Sequence, residues 1–189
     1  MSGAVLICTL SVLVLSANQI AVFHSAKVES LTFHVFNNLL TAVFEEVLYR
    51  VVLFLGMIQF FNSPGLRFWK VTALTSFIFA ALHFMNIIRL DFNIYTAFTQ
   101  VVFAFGFGFL LQVLYVVSRN ILIPIALHFL VNFFGTSSRL DSPEGLAVPG
   151  GNPDLTSLLF LFIFCAVLIS LSVLLYRERD FERFKEALV

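Results

Sequence analysis

The sequence predicts an all-α membrane protein, a polytopic bundle of about six transmembrane helices. Of its 189 residues, 60% are hydrophobic and only 12% are charged, against about 25% charged in an average soluble domain. The apolar residues fall into runs that are long enough to cross a membrane, for which about 20 residues suffice. Strands are not expected, because an open sheet would leave backbone groups without hydrogen bonds in lipid.

Six apolar segments give the predicted spans. The first, 3–23, has no basic residue before it and no clear cleavage site, so we interpret it as a retained span. The second predicted helix is followed by the turn signal Asn62-Ser63-Pro64-Gly65, because proline cannot donate to a continuing helix. The last five segments cover about 32–60, 69–88, 93–117, 121–137 and 155–176.

The length of the chain leaves room for a single transmembrane domain, 1–189, with a motif-bearing core at 32–138. One long loop, 140–154, is rich in proline and glycine and serves as a lid over a cavity or as a plain connector. The charged C-terminal tail, 177–189, carries aromatic residues at helical spacing. It is therefore expected to lie along the membrane interface or to continue the last helix.

Small and sulfur-containing residues inside the spans are expected to serve packing. Cys8 and Cys165 both lie in apolar runs, which does not favour a disulfide or a metal pair. Gly106 and Gly108 follow no strand and lie inside a membrane-length run, so they do not form a phosphate-binding loop. Close contact between helices is the expected role of these two glycines.

The basic residues between the spans predict the orientation of the chain. Cytoplasmic loops carry an excess of Lys and Arg, and with six spans both termini lie on one side. Three basic residues fall on the other side, Lys27, Arg89 and Arg139. Both termini are therefore expected in the cytoplasm, because seven basic residues fall on the side of the tail: Arg67, Lys70, Arg119, Arg177, Arg179, Arg183 and Lys185.

Three charged residues lie within the apolar run of the second span: Glu45, Glu46 and Arg50. Each would oppose insertion by about 2.5–3.5 kcal/mol if it stood unpaired at the membrane centre. They must therefore face a protein interior or a wet cavity. Glu46 precedes Arg50 by four residues, the favourable order for an intrahelical ion pair. Glu45 points about 100° away from Glu46, and the sequence places no basic residue four positions from it. The structural alternative is an ion pair that only holds two helices together.

Two further spans carry groups that are capable of chemistry. Phe79 precedes His83 by one helical turn, so its ring can pack over the imidazole and orient it. His128 and Asn132 share one face of the fifth span. His83 alone would more often form a hydrogen bond between helices than act as a catalyst. His128 and Asn132 alone are equally consistent with polar contacts between spans. Together with the glutamates, they place polar groups on three separate and otherwise apolar helices.

This combination contains the parts of an amide hydrolase that needs no serine or cysteine nucleophile. A carboxylate can take a proton from water, and an imidazole can align that water or protonate the leaving amine. A second imidazole and an amide can stabilise an oxyanion. Ionisable residues inside a membrane are candidates for function by default.

The same residues resemble three signature motifs of the CPBP family, which comprises the CAAX prenyl endopeptidases and their bacteriocin-processing (ABI-type) relatives. The motifs are Glu-Glu-x-x-x-Arg from Glu45 to Arg50, Phe-x-x-x-His ending at His83, and His-x-x-x-Asn from His128 to Asn132. The resemblance implies an intramembrane endopeptidase with Glu45, His83, His128 and Asn132 at its centre. Glu46, Arg50 and Phe79 would support that site.

We favour a metal-independent mechanism, in which Glu45 is the general base on water and His83 assists it. His128 and Asn132 would then donate hydrogen bonds to the oxyanion. No cofactor is required by this mechanism. A divalent metal such as zinc, held by His83, His128 and Glu45, is the alternative, although Asn132 would be an unusual zinc ligand.

The expected partners are the lipid bilayer and a membrane-anchored or lipid-modified protein substrate. The net charge of zero gives no reason to expect nucleic acid, and the oligomeric state is not fixed by the sequence. The chain is short for the eukaryotic CAAX enzymes, which favours a multi-pass protein of a prokaryotic cell membrane.

Two rival functions use the same residues. A non-catalytic membrane scaffold or bacteriocin immunity protein could keep this fold with the polar residues as structural contacts, and Glu45→Ala would then leave its activity intact. A proton-coupled transporter also uses buried ionisable groups, but transporters usually show two related halves, and no internal repeat is visible here.

Overall fold

The computed structural model describes residues 27–60, 67–89, 93–140 and 154–186. All regular elements in these residues are helices, which confirms the predicted all-α class. Some predictions fall outside the described residues: the span at 3–23, Cys8, the turn at 62–65 and all but the ends of the loop at 140–154.

The described residues fall into two compact units. The first unit comprises residues 27–45 and 125–140. The second unit comprises residues 46–60, 67–89, 93–124 and 154–186. The single domain predicted for 1–189 stays a prediction.

The predicted second span forms helix throughout its described length. Helix α1 covers Val28–Glu46, a π-helical segment covers Val47–Leu53, and α2 covers Phe54–Phe60. The π-helical segment was not predicted. Segments of this kind are rare and are frequently found at functional sites.

Three described helical stretches are long and apolar enough to cross a membrane: Phe68–Ile88, Ile94–Ser118 and Leu155–Leu175. They agree with the spans predicted at 69–88, 93–117 and 155–176. The chain is a membrane protein, as this pattern of apolar helices indicates.

The first of these stretches consists of three elements. Helix α3 covers Arg67–Ala81, a 3₁₀ turn covers Leu82–Met85, and α4 covers Asn86–Arg89. The 3₁₀ turn contains the predicted site residue His83.

Helix α5, Ile94–Ser118, is bounded by clear start and stop signals. The side chain of Asn93 accepts a hydrogen bond of 2.8 Å from the backbone of Thr96 and thereby caps the first turn. Arg119 ends the helix in the left-handed conformation, with φ of 55°. Both caps satisfy backbone groups that the helix itself leaves unpaired.

Two more helices follow along the chain. Helix α6 covers Leu122–Gly135 and is apolar but shorter than the three long apolar stretches. A 3₁₀ turn follows it at Ser137–Leu140. Helix α7 covers Leu155–Leu175, and the Asp154 side chain caps its start by accepting a hydrogen bond of 2.7 Å from the backbone of Ser157. Hydrogen bonds from the side chain and from the backbone of Ser157 hold the pKa of the Asp154 carboxyl below its usual value.

Helix α5 packs against α3 and α7 within the second unit. A β-carbon added to Gly106 would lie 2.6 Å from Sγ of the buried Cys165, and one added to Gly108 would lie 3.0 Å from the ring of Phe79. The prediction that both glycines allow close helix contact is therefore confirmed. Cys165 has the packing role expected of it.

The C-terminal tail forms a separate helix, α8, at Glu178–Glu186. Tyr176 has an extended backbone between α7 and α8. Of the two alternatives predicted for the tail, continuation of the last helix is therefore wrong, and a position along the membrane interface stays a prediction. Phe181 and Phe184 are buried and join an aromatic and aliphatic cluster of the second unit that includes Phe54. The tail is thus held to this unit by its apolar face.

Candidate active site

Glu45 and His128 meet in the first unit. Glu45 lies near the end of α1, and His128 lies in the middle of α6. Oε2 of Glu45 is 3.5 Å from Nε2 of His128, and the two side chains are 28% and 4% exposed. A protonated imidazole at this distance forms an ion pair with the carboxylate. The structure therefore brings together two of the four residues predicted to be catalytic.

Asn132 follows His128 by one turn of α6 and is half-buried. Its backbone carbonyl accepts two hydrogen bonds from Thr136, one of 3.0 Å from the amide and one of 2.6 Å from the hydroxyl. These bonds close the last turn of α6 and fix the backbone on which the Asn132 amide is carried.

Two residues of the first unit that sequence reasoning missed also join α1 to the end of α6. Asn38 is buried, donates 2.8 Å to the backbone carbonyl of His34, and has its Oδ1 3.3 Å from the hydroxyl of Thr136. His34 is buried too, with Nε2 2.9 Å from the backbone carbonyl of Phe133. A carbonyl only accepts, so this ring nitrogen carries the proton and donates it.

These contacts define a polar seam in the first unit. Its members on α1 are His34, Asn38 and Glu45, and its members on α6 and the turn after it are His128, Asn132 and Thr136. Asn38 meets Thr136, whereas Glu45, further along α1, meets His128, which comes earlier in the sequence than Thr136. The two helices are therefore antiparallel. The four-residue steps on α1 and α6 were the sequence signal that could have revealed the missed members.

Glu46 and Arg50 form the predicted intrahelical ion pair in the second unit. Nε and Nη2 of Arg50 lie 2.9 Å and 3.4 Å from the two carboxylate oxygens of Glu46. Both side chains are fully buried. The two neighbouring glutamates thus have different surroundings, as predicted, because Glu45 keeps 28% of its side chain exposed.

Phe79 and His83 are in contact in the second unit, as their spacing predicts. The two ring centroids are 5.0 Å apart and the ring planes are nearly perpendicular. Nδ1 of His83 lies 3.1 Å from the carbonyl of Phe79 and therefore donates to it, which leaves Nε2 as the acceptor of a neutral ring. Two further groups contact the Phe79 ring. The Arg50 guanidinium lies 5.7 Å from its centroid, and the centroid of the Tyr49 ring lies 4.9 Å from it.

Comparison with known protein families settles the broad assignment. Residues 27–134 match the family model described as type II CAAX prenyl endopeptidase Rce1-like. The chain belongs to this family. The match covers more than half of the sequence and includes all three motifs, so the resemblance to the CAAX proteases is confirmed. No curated protein and no solved structure matches the chain.

Membership in the Rce1-like family makes the protein a CAAX-type intramembrane endopeptidase in general terms. The family acts on prenylated or membrane-anchored substrates within the bilayer. A membrane location is consistent with the three long apolar helices among the described residues.

The first unit supplies two groups of a kind that zinc accepts, the carboxylate of Glu45 and the imidazole of His128. A catalytic zinc site takes three protein ligands, so this pair supplies two of them. Among the residues that the structure describes, no group of three or more His, Cys, Asp or Glu side chains is placed to hold a metal ion.

Proposed function

We propose that the protein hydrolyses a peptide bond of a membrane-anchored or lipid-modified protein by means of water that Glu45 activates. The observation that carries this proposal is the approach of Glu45 to His128, 3.5 Å between Oε2 and Nε2, at the end of a polar seam in apolar helices. A carboxylate next to an imidazole is a pair that can move a proton to and from a bound water.

Glu45 is the better base of the two glutamates. Glu46 is fully buried and bonded to Arg50 through both carboxylate oxygens, so its charge is already balanced. Glu45 keeps 28% of its side chain exposed, and in the proposed mechanism the attacking water meets this exposed carboxylate. A general base must lie within hydrogen-bond reach of the proton that it removes. Of the two glutamates, Glu45 is the one that combines a partly exposed carboxylate with His128 as its neighbour.

His128 and Asn132 would stabilise the oxyanion that forms when water adds to the peptide carbonyl. They follow one another by one turn on α6, so an imidazole N–H and an amide N–H can serve one oxygen atom. The buried position of His128 strengthens such a hydrogen bond, because little water competes for the ring. The polar seam would hold both donors in place before substrate arrives.

We also assign His83 to the catalytic set, and this assignment rests on its motif. Its Nδ1–H is used by the carbonyl of Phe79, so Nε2 is an acceptor when the ring is neutral. An acceptor nitrogen suits the proposed role, which is to assist the base by aligning the attacking water. Phe79 would keep the ring in this orientation through its edge contact.

The proposed setting is a prokaryotic cell membrane with both termini in the cytoplasm. This orientation follows from the basic residues on the side of the tail. A substrate with a lipid or a membrane anchor suits an enzyme whose polar seam lies among apolar helices, since the anchor brings the scissile bond to the bilayer.

Metal analysis of active protein tests the proposed mechanism most broadly. Protein purified in detergent is treated with a strong chelator, and its metal content and its cleavage of a membrane-anchored reporter are measured on the same sample. We expect full cleavage with far less than one metal ion per chain. Loss of cleavage that zinc restores would contradict the metal-independent mechanism and favour the zinc alternative.

A further inference from the structure

The second unit contains polar atoms that the proposed catalytic residues do not explain. Five buried side-chain atoms have no hydrogen-bond partner among the residues that the structure describes: Nη1 of Arg50, Oγ1 of Thr72, Oγ of Ser76, and Oε1 and Nε2 of Gln112. All four residues are fully buried. Polar groups inside a membrane protein are costly unless something pairs with them, so these atoms call for a partner.

Two contacts show how α3, with the short helix after it, lies against α5. The amide of Asn86 donates a hydrogen bond of 2.8 Å to Oε1 of Gln100. Further back on α3, Cβ of Ser76 would lie 3.7 Å from a β-carbon placed on Gly108. The later residue Asn86 meets the earlier position Gln100 of α5, whereas the earlier residue Ser76 meets the later position Gly108. The two stretches therefore run antiparallel.

This register brings Thr72 level with Gln112. Thr72 precedes Ser76 by one turn of α3, and Gln112 follows Gly108 by one turn of α5. In an antiparallel pair these two steps lead to the same height. The unpartnered atoms of Thr72, Ser76 and Gln112 therefore lie along one face where α3 meets α5.

Arg50 adjoins the same face through Phe79. Its guanidinium lies over the Phe79 ring, 5.7 Å from the centroid. Phe79 follows Ser76 by three residues on α3, and its ring would be 3.0 Å from a β-carbon on Gly108. Glu46 is bonded to Nε and Nη2 of Arg50. We therefore group the remaining nitrogen, Nη1, with the unpartnered atoms of Thr72, Ser76 and Gln112.

The chemistry of these five buried atoms fits water better than an ion. Arg50 and Gln112 supply N–H donors, Oε1 of Gln112 is an acceptor, and the hydroxyls of Thr72 and Ser76 can donate and accept. A hydroxyl can turn back to its own helix, as Thr75 and Ser172 do, but a buried glutamine amide and a guanidinium nitrogen cannot satisfy themselves in this way. The charge of Arg50 is already balanced by Glu46, which gives no excess charge to attract an ion. A buried water typically makes about three hydrogen bonds to groups of this kind.

We propose that Arg50, Thr72, Ser76 and Gln112 line a site for buried water in the second unit, between the π-helical segment, α3 and α5. The water hydrates the inner side of the Glu46–Arg50 pair and lets the pair stay charged inside the membrane. Val71 and Val113, the sequence neighbours of Thr72 and Gln112, are fully buried in an apolar cluster of the second unit. The site does not depend on the catalytic assignment of Glu45.

Hydroxyl-radical labelling by X-ray radiolysis tests this site in the full-length protein. Radicals that form from bound water oxidise the side chains next to it, including rings that bulk solvent does not reach. Phe79, which is only 2% exposed, is the reporter. We expect Phe79 to be oxidised in the wild type and in the control Gln59→Leu, which changes an exposed glutamine on α2.

In the double variant Ser76→Ala, Gln112→Leu, oxidation of Phe79 is expected to fall severalfold while exposed residues are labelled as before. An unoxidised Phe79 in the wild type, or equal oxidation in all three proteins, overturns the proposal. If the double variant does not fold, a wild-type structure at a resolution that shows ordered water decides. Density within hydrogen-bond distance of Gln112 and of a second lining residue supports the site, and a dry Gln112 amide bonded to protein groups contradicts it.

Discussion

Oε2 of Glu45 lies 3.5 Å from Nε2 of His128, although the two residues come from helices that are far apart in the sequence. Asn132 stands one turn beyond His128, and Thr136 fixes its backbone. The first unit of this CAAX-type protease thus presents a carboxylate, an imidazole and an amide on two antiparallel helices.

His128→Ala and Asn132→Ala should each lower turnover by about 10²–10³, as expected when one oxyanion donor is removed. The double variant should lose much less than the product of the two effects, because both groups would serve one charge. The measurement is cleavage rate per folded molecule, with folding followed by thermal unfolding in detergent. Variants that unfold while their folded fraction keeps full activity would show that the two residues are structural only.

The buried ion pair between Glu46 and Arg50 should affect the stability of the folded protein more than its activity. Arg50→Ala removes the guanidinium that is bonded to the buried Glu46 carboxylate, which costs about 3–5 kcal/mol. Replacing both residues by Met should recover most of this loss, since apolar side chains of similar volume need no partner. Glu182→Gln is the control, because it breaks an exposed pair with Lys185 that is worth at most about 1 kcal/mol. A double Met variant as unstable as Arg50→Ala would contradict this reasoning.

His34 should hold the end of α6 through its hydrogen bond to the carbonyl of Phe133. His34→Phe keeps a ring but leaves that carbonyl without this donor, at a cost of about 1–3 kcal/mol. Turnover should fall as well, because the same end of α6 carries Asn132. His34→Gln restores an N–H donor and should recover both properties. Unfolding midpoints and cleavage rates for the two variants test this prediction, and it fails if Gln is as damaging as Phe.

Gly106 should be intolerant of any side chain. A β-carbon at this position would lie 2.6 Å from Sγ and 3.2 Å from Cα of Cys165. Gly106→Ala is therefore expected to destabilise the packing of α5 on α7 by about 1–3 kcal/mol. Gly56→Ala is the matched control, because nothing lies within 4 Å of an added β-carbon there. That change should be neutral or stabilising by about 0.5–1 kcal/mol, since alanine favours a helix more than glycine does. Equal effects at both glycines would show that the close contact does not matter.

Apolar length and charge spacing predicted much of this structure. The spans at 69–88, 93–117 and 155–176 follow from runs of apolar residues and agree closely with the helices. The Glu46–Arg50 pair follows from a four-residue step in a medium where unpaired charges are costly. The different surroundings of Glu45 and Glu46 follow from the rotation of about 100° per residue in a helix.

Other features of the structure had no clear signal in the sequence. A span that is apolar on most faces does not distinguish a π-helix from an α-helix, so the segment Val47–Leu53 was not predicted. The break at Tyr176 lies between an apolar run and a charged one, and helical spacing continues across it. His34 and Asn38 pair with backbone groups or with residues distant in the sequence, and such partners become visible only when two helices are in contact.

The most direct test of the proposed mechanism is cleavage by Glu45→Gln, measured per folded molecule beside Glu46→Gln. Glutamine keeps the shape of Glu45 and can still accept a hydrogen bond from His128, but it cannot take a proton from water. We expect Glu45→Gln to express and unfold like the wild type and to show no cleavage. Glu46→Gln should instead be less stable and retain cleavage in its folded fraction. A folded Glu45→Gln protein that cleaves substrate would contradict the role of Glu45 as the general base.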